Sequence, residues 1–148
     1  MTNHSILLVE DNPDDADLAL LAFKESGIQE QTLVARDGQE ALDYLLHGGS
    51  IAGCNAEHLP KVVLLDLNLP RVDGFEVLKR LRGDALTHCL PVVILSSSRE
   101  EIDLARAYRL GANSYIQKSL DFSHFVQSVK QMGEYWLSLN VVPEACQN

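Results

Sequence analysis

Val62-Val63-Leu64-Leu65-Asp66 is a run of four aliphatic residues that ends directly on a carboxylate. An unbroken apolar run of that length fits a strand buried on both faces, as in a parallel sheet covered by helices. The pattern recurs at Ile6-Leu7-Leu8-Val9, which meets Glu10-Asp11, and at Val92-Val93-Ile94-Leu95, which meets Ser96. Open parallel sheets bind their ligands in the crevice outside the carboxyl ends of the strands. If these strands are neighbours, three carboxylates and a hydroxyl converge on one spot.

Outward from these runs, strands and helices alternate. Asn12-Pro13 reads as an N-cap with proline at the first helical position. The helix is expected over residues 13 to about 26, with Leu18, Leu21 and Ala22 on one face and Gly27 as its stop. Residues 32–35 read as a second strand, followed by a helix carrying Ala41, Leu42, Leu45 and Leu46. Residues 47–60, small and polar, read as a long loop. Beyond Asp66, loop chemistry leads into a helix with Phe75, Val77, Leu78 and Leu81. Another helix is expected from Arg99 to Leu110, closed by Gly111, and then a strand over 114–117. In the last helix Phe122, Phe125, Val126, Val129, Met132, Gly133 and Trp136 share one helical face. Five strands alternating with five helices predict an α/β domain with a parallel sheet.

The net charge of −9, with no cluster of Lys and Arg, argues against a nucleic-acid surface. No apolar stretch nears the ~20 residues that span a bilayer, and the polar N-terminus resembles no targeting peptide. A cytoplasmic protein is expected. Cys54, Cys89 and Cys146 are odd in number and without metal-like spacing, so free thiols are expected.

Glu10, Asp11 and Asp66 would lie together if the first and third strands pair. Two like charges ~4 Å apart at an effective dielectric near 20 repel by roughly 4 kcal/mol. A divalent cation relieves that, and oxygen-only ligands point to Mg2+ or a similar hard ion. Alternatively, Glu10-Asp11 serves only the positive N-terminus of the first helix. Asp66 has no such duty. Ser96 lies 30 residues past Asp66, and Lys118 lies 22 further on, each at a strand end. Alone, each reads as an ordinary surface or strand-end residue. Together, a hydroxyl and an ammonium beside a metal-bound carboxylate make a site for a phosphoryl group. The carboxylate can itself be the nucleophile, giving an aspartyl-phosphate.

From about residue 5 to 136 the chain resembles the receiver domain of two-component response regulators. The resemblance rests on Val9-Glu10-Asp11, on Asp66-Leu67-Asn68-Leu69-Pro70-Arg71-Val72-Asp73-Gly74, on Ile94-Leu95-Ser96, on Gly111-Ala112 and on Tyr115-Ile116-Gln117-Lys118. It implies a flavodoxin-like, doubly wound sheet of five parallel strands in the order 2-1-3-4-5, with five helices. The receiver would occupy residues 1–139, with a tail at 140–148 and no output domain. By the same resemblance Asp66 is the phosphoacceptor, and the phosphohistidine of a sensor histidine kinase is the donor. Glu10, Asp11, Asp66 and the backbone carbonyl of Asn68 would hold Mg2+, which Mn2+ or Ca2+ can replace. Ser96 would be the switch hydroxyl, Lys118 the phosphate-contacting lysine and Tyr115 the switch aromatic. The chain is similar, more narrowly, to the stand-alone regulators of cyanobacterial phytochromes. They share the Asp-Leu-Asn-Leu-Pro run, a lysine followed by serine, and an ending like Tyr135-Trp136-Leu137.

Two features depart from the receiver pattern. Ser119 stands where most receivers carry a cis-proline; a cis bond there would cost about 3 kcal/mol, so a trans peptide or a strained loop is expected. The acidic pair is Glu10-Asp11 rather than two aspartates. Tyr108, Phe122, Tyr135 and Leu139 suggest a homodimer face on the fourth helix, fifth strand and fifth helix, or else scattered surface hydrophobes. A receiver-like adaptor that is never phosphorylated is the alternative function. A phosphatase of the haloacid dehalogenase type is disfavoured because it needs a second aspartate where Asn68 stands.

Overall fold

A computed structural model describes residues 5–28, 31–46 and 59–142 of the 148-residue chain. Strand and helix alternate through β1 (Ile6–Val9), α1 (Pro13–Glu25), β2 (Thr32–Ala35), α2 (Gly38–Leu46) and β3 (Val62–Leu65). They continue through α3 (Gly74–Arg82), β4 (Val92–Ser96), α4 (Glu101–Arg109), β5 (Ser114–Gln117) and α5 (Phe122–Glu134). All strand pairs are parallel and the order is β2-β1-β3-β4-β5, as the resemblance implied.

Each aliphatic run is a strand without an exposed residue. Alternation divides it between two cores. Leu7, Val9, Val63, Leu65, Val92 and Ile94 face α2, α3 and α4, against Leu42, Leu45, Leu78, Leu81 and Ala107. Ile6, Leu8, Val62, Leu64, Val93 and Leu95 face α1 and α5, against Ala19, Phe23, Phe125 and Val129. Register then sets the strand ends level. Val9 pairs with Leu65, Leu65 with Ile94, and Ile94 with Tyr115. Glu10 and Asp66 follow β1 and β3 at once, Ser96 closes β4, and Lys118 follows β5.

Several expectations are corrected. The buried face of α1 is Ala16, Ala19, Ala22 and Phe23, whereas Leu18 and Leu21 are exposed. Small alanines let α1 lie close to the sheet and α5, which a reading weighted toward large apolar residues misses. Phe122 is exposed as well, and α5 ends at Glu134, continuing as a π-helical turn over Tyr135–Leu139. Cys89 is disulfide-bonded rather than free. Spacing along the chain cannot reveal which cysteines fold to within the ~4.4–6.8 Å between Cα atoms that a disulfide requires. No peptide bond among the described residues is cis, so Lys118-Ser119 is trans. Most of the expected 47–60 loop and of the tail lies outside the described residues.

Candidate functional site

Asn12 does the capping at the start of α1: its side-chain oxygen accepts from the N–H groups of Asp14 (2.9 Å) and Asp15 (3.1 Å). Glu10 Oε2 in turn accepts from the Asn12 N–H at 3.3 Å, so the acidic pair borders the start of α1 as well as the strand ends. Glu10 is 2% exposed and Asp66 6%, while Asp11 stands at the mouth. One carboxylate oxygen from each of Glu10, Asp11 and Asp66 falls within 4.8 Å of the others. Three hard oxygen donors at that spacing suit a divalent cation of the Mg2+ type.

Lys118 reaches into the same cluster. Its ammonium donates to Glu10 Oε1 at 2.6 Å, to Asp15 Oδ2 at 2.9 Å and to Asp66 Oδ2 at 3.4 Å. Burial alone would lower its pKa, but the bonds and charges of Glu10, Asp66 and Asp15 prevail and hold it above the usual lysine value. Glu10 moves the other way from an ordinary carboxylate. Burial first, then the hydrogen bond and charge of Asp66, push it up to about 7 despite Lys118. One ammonium does not satisfy this many carboxylates, and the unmet negative charge is what a metal ion would neutralise.

Asn68 lies beside Asp66, its N–H donating to Asp66 Oδ1 at 3.3 Å. Ser96 is fully buried and its hydroxyl oxygen accepts from the N–H of Ser98 at 3.1 Å. The Tyr115 ring is half-buried against the α2–α4 core, and its hydroxyl donates to the Ser98 carbonyl at 3.1 Å. Ser96 and Tyr115 thus meet through Ser98 rather than directly. Ser98 also donates to Asp103 on α4 at 2.7 Å, linking the β4–α4 connection to that helix.

Asp15 and Ser98 escaped the sequence reading. Asp15 carried a faint signal as an acidic residue in the first turn of α1. Ser98 carried none, since serine after a strand end is commonplace. A further contact, from the Arg71 guanidinium to Asp37, ties the loop after β3 to the start of α2. The N–H of Glu40 and the Arg71 side chain hold the Asp37 carboxyl below its usual value despite its burial.

Comparison with known proteins places these residues in context. The response regulator receiver domain family matches residues 6–130. A probable methanogenesis regulatory protein, FilR2 of Methanothrix harundinacea, is 44% identical over 93% of this chain and 86% of its own length. The response regulator Rcp1 of Synechocystis is 34% identical over 95% of this chain and 93% of its own. The structure of its Mn2+-bound form superposes with a TM-score of 0.82 over 93% of this chain and 97% of that one. The phosphorylated cyanobacterial phytochrome response regulator RcpA superposes with a TM-score of 0.85. It is 40% identical, over 97% of this chain and all of that one.

Proposed function

The chain belongs to the response regulator receiver family, and from that premise we propose that it accepts a phosphoryl group on Asp66 from a histidine kinase. The observation that carries this reading is the convergence of three carboxylates and the Lys118 ammonium beyond the carboxyl ends of β1, β3 and β5. A carboxylate oxygen of Asp66 attacks phosphorus in line as the bond from phosphorus to the donor imidazole breaks. The electron pair stays on that ring nitrogen, and the imidazole leaves neutral with the proton its other nitrogen carries. Glu10, Asp11, Asp66 and the Asn68 carbonyl would hold Mg2+, which when bound neutralises charge on the phosphoryl oxygens. Lys118 offsets the rest, and Ser96 turns its hydroxyl toward the new oxygens.

Phosphorylation replaces one negative charge with nearly two and adds strong acceptors. Movement of Ser96 releases Ser98, and with it the Tyr115 hydroxyl, so the ring can turn inward. The α4–β5–α5 face then changes shape. Tyr108, Phe122, Tyr135 and Leu139 are all exposed, and an open groove between β5 and α5 is lined by Tyr115, His124, Met132 and Trp136. These features support a homodimer on this face. Sedimentation with and without phosphodonor tests it, and a monomer in both states would remove this part of the reading.

Incubation with acetyl phosphate and Mg2+ is expected to add one phosphoryl group, seen by intact mass, and chelator is expected to prevent it. A folded protein that binds Mg2+ but stays unmodified would favour the adaptor reading. Likeness to Rcp1 and RcpA supports a phytochrome kinase as donor. The greater identity to FilR2 shows that close relatives carry names from other signalling settings. A purified phytochrome kinase is therefore expected to outpace an unrelated histidine kinase, and the reverse preference would count against that assignment.

A further inference from the structure

Lys118 has three carboxylate partners, and the proposed phosphoacceptor is the most distant. The ammonium lies 2.6 Å from Glu10 and 2.9 Å from Asp15, but 3.4 Å from Asp66. Asp15 reaches it from outside the sheet. It belongs to the first turn of α1, where the Asn12 cap holds its N–H and fixes its place over the lysine. Its side chain is 39% exposed, whereas those of Lys118 and Asp66 beneath it are 15% and 8% exposed.

Resting on the phosphoacceptor reading above, we propose that Asp15 is a positioning residue that holds the Lys118 ammonium back from Asp66 until a phosphoryl group arrives. The free carboxylate and Asp15 compete for one cation on similar terms. A phosphoryl group carries nearly two charges and three acceptor oxygens, which tips the competition. To face it, the ammonium must leave Asp15. The Asp15–Lys118 pair therefore stabilises the free protein more than the phosphorylated one, and a contact unequal between two states shifts their populations. Its loss raises the phosphorylated share at a given donor concentration. A partly exposed ion pair sets the scale at roughly two- to fivefold.

The test compares Asp15→Asn, Asp15→Glu and Asp14→Asn with the wild type in Mg2+ and subsaturating acetyl phosphate, reading the steady ratio of phosphorylated to free protein by intact mass. Asp14 neighbours Asp15, is exposed and makes no contact with Lys118 among the described hydrogen bonds, so its variant controls for net charge at the mouth. Asp15→Asn is expected to raise the ratio roughly two- to fivefold. Asp15→Glu, which can restore the pair, is expected to stay near wild type, as is Asp14→Asn. An unchanged ratio in Asp15→Asn, or the same rise in Asp14→Asn, overturns the inference while leaving Asp66 as acceptor. Failure of the wild type to take up phosphoryl groups overturns the acceptor reading and the inference with it.

Discussion

Asp66→Asn is expected to gain no phosphoryl group from acetyl phosphate at any Mg2+ concentration, where the wild type gains one. The amide keeps the shape of the carboxylate, but its one oxygen can accept from only one of the Asn68 N–H at 3.3 Å and the Lys118 ammonium at 3.4 Å, and its NH2 faces the other donor. It has no anionic oxygen to attack phosphorus and contributes no charge to a metal site. A loss of about a thousandfold or more in initial rate is the scale expected for removing a nucleophile. Modification that persists would move the acceptor elsewhere, with the exposed Asp11 the first residue to examine.

The same substitution is expected to stabilise the metal-free protein. Asp66 is one of the causes that push Glu10 from 4.5 to about 7, after burial. A carboxyl whose folded pKa is raised stabilises the fold most below its unfolded value, and that contribution is lost as pH climbs to the folded value. Wild-type stability in chelator should therefore decline between about pH 4.5 and 7 on account of Glu10. With Asp66→Asn one cause is gone, the decline becomes shallower, and near pH 7.5 the gain is about 1 kcal/mol. That corresponds to a melting temperature higher by roughly 2–4 °C for a chain of this size. A lower melting temperature would mean that Lys118 already balances the cluster and that repulsion does not tax the fold.

Much of this architecture is legible because it depends on local pattern. Val62–Leu65 and its two counterparts announce buried strands, and Asn12-Pro13 announces a helix start. Once adjacent strands are granted, Glu10, Asp66, Ser96 and Lys118 follow, since each stands at or just past a strand end. What sequence hides is set by three-dimensional closure. Arg82 looks like a solvated helix-end arginine. Instead it is partly buried, donating to the carbonyls of Gly111, Leu90 and Thr87 and to the Asn113 side chain, so that it joins the end of α3 to the connections before β4 and before β5. Asp15 reads as a generic acidic first-turn residue until β5 brings Lys118 beneath it. The buried face of α1 is misread for a related reason: helix packing distance favours Ala16, Ala19 and Ala22, and hydrophobicity alone points to the leucines.

Gly74→Ala is expected to cost about 3 kcal/mol, the upper end of what overpacking a tight site usually does, while Gly83→Ala nearby stays within about 0.5 kcal/mol of wild type. The two glycines stand at opposite ends of α3, Gly74 as its first residue and Gly83 as its C-cap, but differ in what a methyl group would meet. At Gly74 a Cβ would fall 2.4 Å from the Asp66 carbonyl oxygen and 2.7 Å from Leu67 Cα. Both are backbone atoms and cannot turn aside as a side-chain end would. The Gly74 N–H also donates to the Leu67 carbonyl at 3.0 Å, which locks the start of α3 against the segment after β3. At Gly83 the nearest atoms are 3.6 and 3.8 Å away, and its φ of −86° suits any residue. Urea unfolding of the two variants separates the effects. Relief of the clash at residue 74 requires the backbone of Asp66 itself to move, so phosphoryl uptake per folded molecule should fall in Gly74→Ala and hold in Gly83→Ala. Wild-type stability and uptake in Gly74→Ala would show that α3 can slide away from Asp66 at little cost. The placement of the acceptor would then have to come from the Asn68 N–H and the Lys118 ammonium rather than from the packing of this helix.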